Sequence, residues 1–167
     1  MSKNFKPLPI EERCRTQPFV VVGCLIEKDG KFLLVQEGLG SQKGLWNQPA
    51  GWLDLGEPMA AGAKREAEEE TGLRLELTGF LGVYSLLRPR EGKANHCIKF
   101  IFTAKPLSEN ITLDHEEILD ARWLNLQEII DLGATLRDKD IIQEIKDYQA
   151  GKRSSLGDVE TFTNAMP

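Results

Sequence analysis

The chain has 167 residues, 41% of them hydrophobic, enough for one well-buried core and too few for two ordinary domains. Its formal charge of -5 leaves no basic surplus to neutralise a phosphate backbone, which argues against a nucleic-acid polymer as partner. A small phosphorylated ligand held through a metal is compatible with that acidity.

Cys14, Cys24 and Cys97 are odd in number and far apart, so neither a disulfide framework nor a zinc knuckle is indicated. Residues 1–17 are polar, carry Pro7 and Pro9, and read as an extended arm without a signal-peptide core. No segment approaches the uninterrupted apolar length of a membrane span, so a soluble cytoplasmic protein, monomer or homodimer, is the expectation.

The first elements are strands. Phe19–Ile26 and Lys31–Gln36 are rich in Val, Ile and Leu and flank Asp29-Gly30, a dipeptide suited to the positive φ angles of a tight hairpin turn. From Gly38 to Gly56, glycines, Pro49, Trp46 and Trp52 replace the alternation, which reads as an ordered loop delivering residues to a site. A helix from about Pro58 to Thr71 follows, with Pro58 in its first turn, alanines at 60, 61, 63 and 67, and Gly72 as its stop. Residues 74–87 and 95–104 read as further strands joined by a charged connection, Arg88–Lys93, and Ala121–Leu124 as a last short one. Helices are expected at Leu126–Leu132 and Asp138–Tyr148, the second with Ile141, Ile142 and Ile145 on one stripe and Gly151 beyond its end. One domain over 18–153, ahead of a tail at 154–167, would pack as α/β: a mixed β-sheet with helices on both faces.

The Pro58–Thr71 helix carries the chemistry. Glu66, Glu69 and Glu70 stand at i, i+3 and i+4, on one helical face, while Glu68 points elsewhere. Like charges ~4 Å apart near a protein surface repel by roughly 4 kcal/mol, a sign that a divalent cation reverses. Oxygen-only donors that leave room for water and phosphate suit Mg²⁺, with Mn²⁺ as a substitute. Three glutamates on a helix are more often a solvated face; Arg65 as an ordinary ion-pair partner and Glu57 as a dipole-favourable residue near the helix start are equally bland when taken singly.

Taken together, Gly51, Glu57, Arg65, Glu66, Glu69, Glu70, Gly72 and Leu73 resemble the signature box of the Nudix hydrolases, G-x5-E-x7-R-E-U-x-E-E-x-G-U, where U is apolar. Every polar and glycine position is matched; Ala67 is smaller than the usual aliphatic residue. Trp46–Gly51, WNQPAG, resembles the loop leading into that box, and Glu117–Trp123 a later loop and strand of the family. The resemblance implies an α/β/α sandwich and Mg²⁺-dependent hydrolysis of a phosphate–phosphate bond in a small nucleotide-like substrate. It implies that Glu66, Glu69, Glu70 and the Gly51 carbonyl bind metal, that Glu66 doubles as general base, that Arg65 holds Glu66, and that Glu57 supports the loop or binds an additional ion through water. In some members a downstream glutamate is the base, here Glu116 or Glu117. A narrower resemblance to the NudJ phosphatase branch rests on WNQPAG, on Ile145 and Tyr148, and on Gln149–Arg153; Trp52 departs from that branch's histidine.

Trp52 adjoins Gly51 and is a candidate for substrate contact, as is Arg88 on its connection; Trp46 and Trp123 are better read as core. His96 and His115 are too isolated for a metal site. A non-catalytic Nudix-fold sensor of a nucleotide or ADP-ribose is the rival reading, against which the intact box argues. An isomerase of the same fold would need a cysteine in the pocket, whereas Cys24 and Cys97 fall in expected strands.

Overall fold

The computed structural model describes residues 18–90 and 93–160, without the side chains of 88–90 and 93–94. The expected arm at 1–17, with Cys14, and residues 161–167 of the expected tail lie outside the described residues.

Among the described residues seven strands form one mixed sheet: β1 (Phe19–Lys28), β2 (Lys31–Glu37), β3 (Trp46–Asn47), β4 (Ala50–Trp52), β5 (Leu75–Arg90), β6 (Lys93–Pro106) and β7 (Ile118–Leu124). The order along the sheet is β3-β2-β1-β6-β5, with β4 also paired to β1 and β7 to β2. β1 is central, parallel to β6 and antiparallel to β2 and β4. That position explains its nearly continuous apolar run, because both of its faces are covered. Val22, Cys24 and Ile26 pack beneath α1 (Met59–Thr71), and Leu25 faces the opposite cluster with Ile129, Ile141 and Ile145 from α2 (Leu126–Asp131) and α3 (Asp140–Gln149). Helices thus flank both faces, the α/β/α arrangement expected.

The turn between β1 and β2 has Asp29 at φ 53° and Gly30 at φ 77°, as the dipeptide implies. α1 starts one residue later than expected: Pro58 is its extended N-cap, and Gly72, at φ 67°, closes it by donating to the Glu68 carbonyl. Its buried residues are Gly62, Ala63, Ala67 and Thr71. These small residues let the helix lie close on β1, where Cys24 Sγ donates to the Ala63 carbonyl at 3.3 Å.

Other boundaries move where a partner strand supplies hydrogen bonds that local sequence does not reveal. The expected 38–56 loop contains β3 and β4, and the Arg88–Lys93 connection is mostly strand, with Pro89 opposite Ala94 on the edge strand β5, where a missing N–H is tolerated. β7 begins at Ile118 because it continues along β2 past a bulge at Gln36/Glu37. α3 begins at Asp140, after Arg137 N–H has bonded the Trp46 carbonyl. Beyond α3, Ser154 pairs with Phe80 of β5 through two backbone hydrogen bonds. Among the described residues no helix is long and apolar enough to cross a membrane.

Candidate active site

Arg65 organises the polar face of α1. Its Nε and Nη2 donate to Oε1 and Oε2 of Glu57, each at 2.9 Å, a bidentate fork. Nη1 donates to Glu66 Oε1 at 2.8 Å and to Glu69 Oε2 at 3.1 Å, and Nη2 reaches the Trp52 carbonyl at 3.4 Å. The fork holds the Glu57 carboxyl below its ordinary pKa and raises that of the guanidinium. One cation thereby ties the segment before the helix, the helix and β4 together.

Glu66 and Glu70 turn toward β4. The Glu66 carboxylate occupies the space a Cβ would take at Gly51, so this approach needs glycine. Glu70 Oε2 accepts the Ala50 N–H at 3.0 Å. Burial raises the pKa of Glu66 despite the pull of Arg65, and burial followed by the negative charge of Glu37 raises that of Glu70 well above the ordinary value. The Glu69 side chain remains 62% exposed. The shared face expected for the three carboxylates therefore divides, with Glu66 and Glu70 against β4 and Glu69 outside on Arg65. Among the described residues no three carboxylate, imidazole or thiolate groups stand close enough to enclose a metal by themselves. Glu68 does point elsewhere, accepting the Leu75 N–H at 2.8 Å.

Trp52, on β4, is half-buried and stacks on Phe19 with ring centroids 4.6 Å apart. Glu117 is exposed, but its carbonyl accepts the Gly38 N–H at 2.7 Å, which fixes its turn beside the end of β2. Glu116 is held by its own N–H on Asp114 Oδ1. Arg88 lies opposite Asn95 in the β5–β6 register, and its side chain lies outside the described residues. Trp46 is core, with Arg122 over its ring, and Trp123 packs against the α1-side cluster. His96 bonds Ser85, and Cys24 and Cys97 are buried.

Sequence reading missed Glu37 and Arg137. Arg137 Nη1 donates to Glu37 Oε1 at 2.5 Å, Asn47 Nδ2 donates to the same oxygen at 3.4 Å, and Glu37 is the charge that most opposes ionisation of Glu70. It also missed a buried cluster of Lys99, Asp140, Glu144 and Gln48. A lysine inside the apolar run Ile98–Phe102 was its available signal, since such a charge is rarely buried unless paired.

The donors around Gly51 are oxygens, two of them on desolvated carboxylates whose charged forms a cation would stabilise. That set fits a hard divalent ion. Residues 17–145 match the family model of the NUDIX domain. The chain is 32% identical over 147 residues to Phosphatase NudJ of Escherichia coli strain K12, covering 87% of this chain and 93% of that protein. A NUDIX hydrolase from Nitrosomonas europaea superposes with a TM-score of 0.78 at 33% identity, over 87% of this chain and 98% of the other. The MutT NUDIX hydrolase from Burkholderia pseudomallei gives 0.60 at 28% identity, over 67% and 86%. The Arg65-centred carboxylates thus sit in a fold and a sequence box whose relatives are hydrolases, and the chain belongs to the Nudix hydrolase family.

Proposed function

We propose that the protein hydrolyses a phosphate–phosphate bond in a small nucleoside diphosphate, triphosphate or related organic pyrophosphate, with Mg²⁺ as cofactor. The observation that carries this reading is the placement of Glu66 between Gly51 and Arg65 and of Glu70 on the Ala50 N–H. Glu66, Glu70 and the Gly51 carbonyl would hold the ion, with Glu69 joining from the exposed side. When bound, the ion supplies neutralisation of phosphate oxygens and acidification of water.

The side chains do the remaining work. Glu66 accepts the proton of the attacking water, and Arg65 keeps its carboxylate oriented while holding the Glu57 segment in place. Glu117, on the turn joined to Gly38, is the alternative proton acceptor. Trp52 offers an apolar face, shared with Phe19, beside the carboxylates, and Arg88 would pair with a phosphate at the far end of the β5–β6 hairpin. The phosphatase name of the NudJ relative supports phosphate release.

Glu66→Gln tests this directly. It should melt within a few degrees of the wild type and lose turnover by roughly 10², the size expected of a positioned proton acceptor. The assay is product release from nucleoside diphosphates, triphosphates, nucleotide sugars and thiamine-related diphosphates with Mg²⁺, repeated with excess EDTA. Mg²⁺-dependent turnover of Glu66→Gln near wild type would remove Glu66 as base.

A further inference from the structure

Between the sheet and α3 runs a chain of polar groups that are buried or, at Asp140, largely so. Lys99, 4% exposed, projects from the middle of β6, where its backbone lies between Val21 and Tyr84. Its Nζ donates to Asp140 Oδ2 at 2.6 Å and to Glu144 Oε1 at 2.8 Å, carboxylates one helical turn apart on α3. The other Glu144 oxygen accepts Gln48 Nε2. Gln48 and Glu144 are both 0% exposed.

A buried ionic cluster is weak evidence for stability, because apolar residues of similar volume often serve as well. Directional hydrogen bonds do fix the geometry of whatever they hold, and here they hold the β3–β4 connection. The residues after Gln48 are those that meet the carboxylates. The Pro49 carbonyl accepts the Cys24 N–H at 3.0 Å, the Ala50 N–H reaches Glu70, and Gly51 abuts Glu66. Before Gln48, Trp46 and Asn47 are tied to Arg137 and Glu37. Every residue from 46 to 51 is therefore anchored, and Gln48 is the anchor reaching the opposite helix layer.

We propose that Gln48, gripped by the Lys99–Asp140–Glu144 cluster, is a positioning residue for the reaction, holding Ala50–Gly51 in register with Glu70 and Glu66. This rests on the pyrophosphate-hydrolase reading of the same site. α3, which contributes nothing to the signature box, thereby becomes part of the support of the site.

The test uses the full chain, its steady-state hydrolysis and its Mn²⁺ affinity measured by electron paramagnetic resonance, a readout independent of turnover. Gln48→Leu should melt within a few degrees of wild type while kcat and Mn²⁺ affinity each fall about tenfold and KM changes little, as for partners that orient ligands from behind. Assayed above the Glu144 pKa of about 7, Q48E opposes two carboxylates and should lose as much. The double swap Q48E/E144Q restores one donor and one acceptor between the two positions and keeps the net charge of the cluster, and should recover both quantities to within about threefold of wild type. Gln48→Leu with unchanged kcat and Mn²⁺ affinity, or a swap that recovers melting temperature but neither functional quantity, would overturn the proposal. Absence of hydrolysis by the wild type would instead overturn the catalytic reading, and the Mn²⁺ titrations would still decide the positioning role.

Discussion

Gly51→Ala isolates the contact on which the site depends. A Cβ at this position would overlap Cδ and Oε2 of Glu66 and stand 2.7 Å from Oε1, inside the 3.0 Å that real Cβ atoms essentially never cross. The backbone itself accepts alanine, since Gly51 is not among the positive-φ residues. The overlapping atoms end a flexible side chain, so Glu66 swings aside and β4 keeps its pairing with Val22. The carboxylate must retreat by about 1 Å, a misplacement that costs a catalytic group on the order of 10² in rate. The stability change should be only about 1 kcal/mol, because the affected Arg65–Glu66 bond is partly solvated and Arg65 keeps its fork on Glu57. Steady-state hydrolysis of the best substrate with Mg²⁺, alongside thermal melting, measures both. Turnover of Gly51→Ala within about threefold of wild type would refute the reasoning, because it would show that the position of Glu66 against β4 is not what the chemistry requires.

Two further predictions concern proton handling. Glu117→Gln should lower kcat by about tenfold, less than Glu66→Gln, since an exposed side chain tethered only through its backbone is poorly positioned. A loss equal to that of Glu66→Gln would reassign the proton acceptor. Burial raises the pKa of Glu144 from 4.5 to about 7, outweighing the attraction of Lys99, with Asp140 adding to the rise. A raised folded-state pKa means that the folded protein keeps a proton the unfolded chain has released. Its contribution to stability is then complete below the unfolded value of 4.5 and is lost as pH rises through about 7. The unfolding free energy of wild type from urea titrations should accordingly fall between pH 5 and 7.5 by an amount bounded at about 3 kcal/mol, and Glu144→Gln should flatten that slope. An identical slope in the variant would contradict the assignment.

A sensor needs only affinity for its ligand, whereas here Arg65 holds Glu57, Glu66 and Glu69 at once and glycine makes room for a carboxylate. The isomerase alternative needs an accessible cysteine. Cys24 is buried against the Ala63 carbonyl, its thiol pushed far above the ordinary range by burial, and Cys97 is buried too.

Much of this protein was legible in the sequence because it is local. The hairpin turn at Asp29-Gly30, the stop of α1 at Gly72 and the i, i+3, i+4 spacing of Glu66, Glu69 and Glu70 depend on φ preferences and helical periodicity within a few residues. The box itself is contiguous, so the family and its class of chemistry could be read from it. Tertiary structure decided the rest. Which glutamates face β4 depended on where Arg65 finds its partners, and that is a competition among residues from three segments. Glu37 and Arg137 meet across 100 positions, and Gln48 and Glu144 across 96. Neither pair leaves a periodic or compositional trace, because in a buried polar contact each partner is chosen by what faces it across the packed layers and not by its neighbours in the chain.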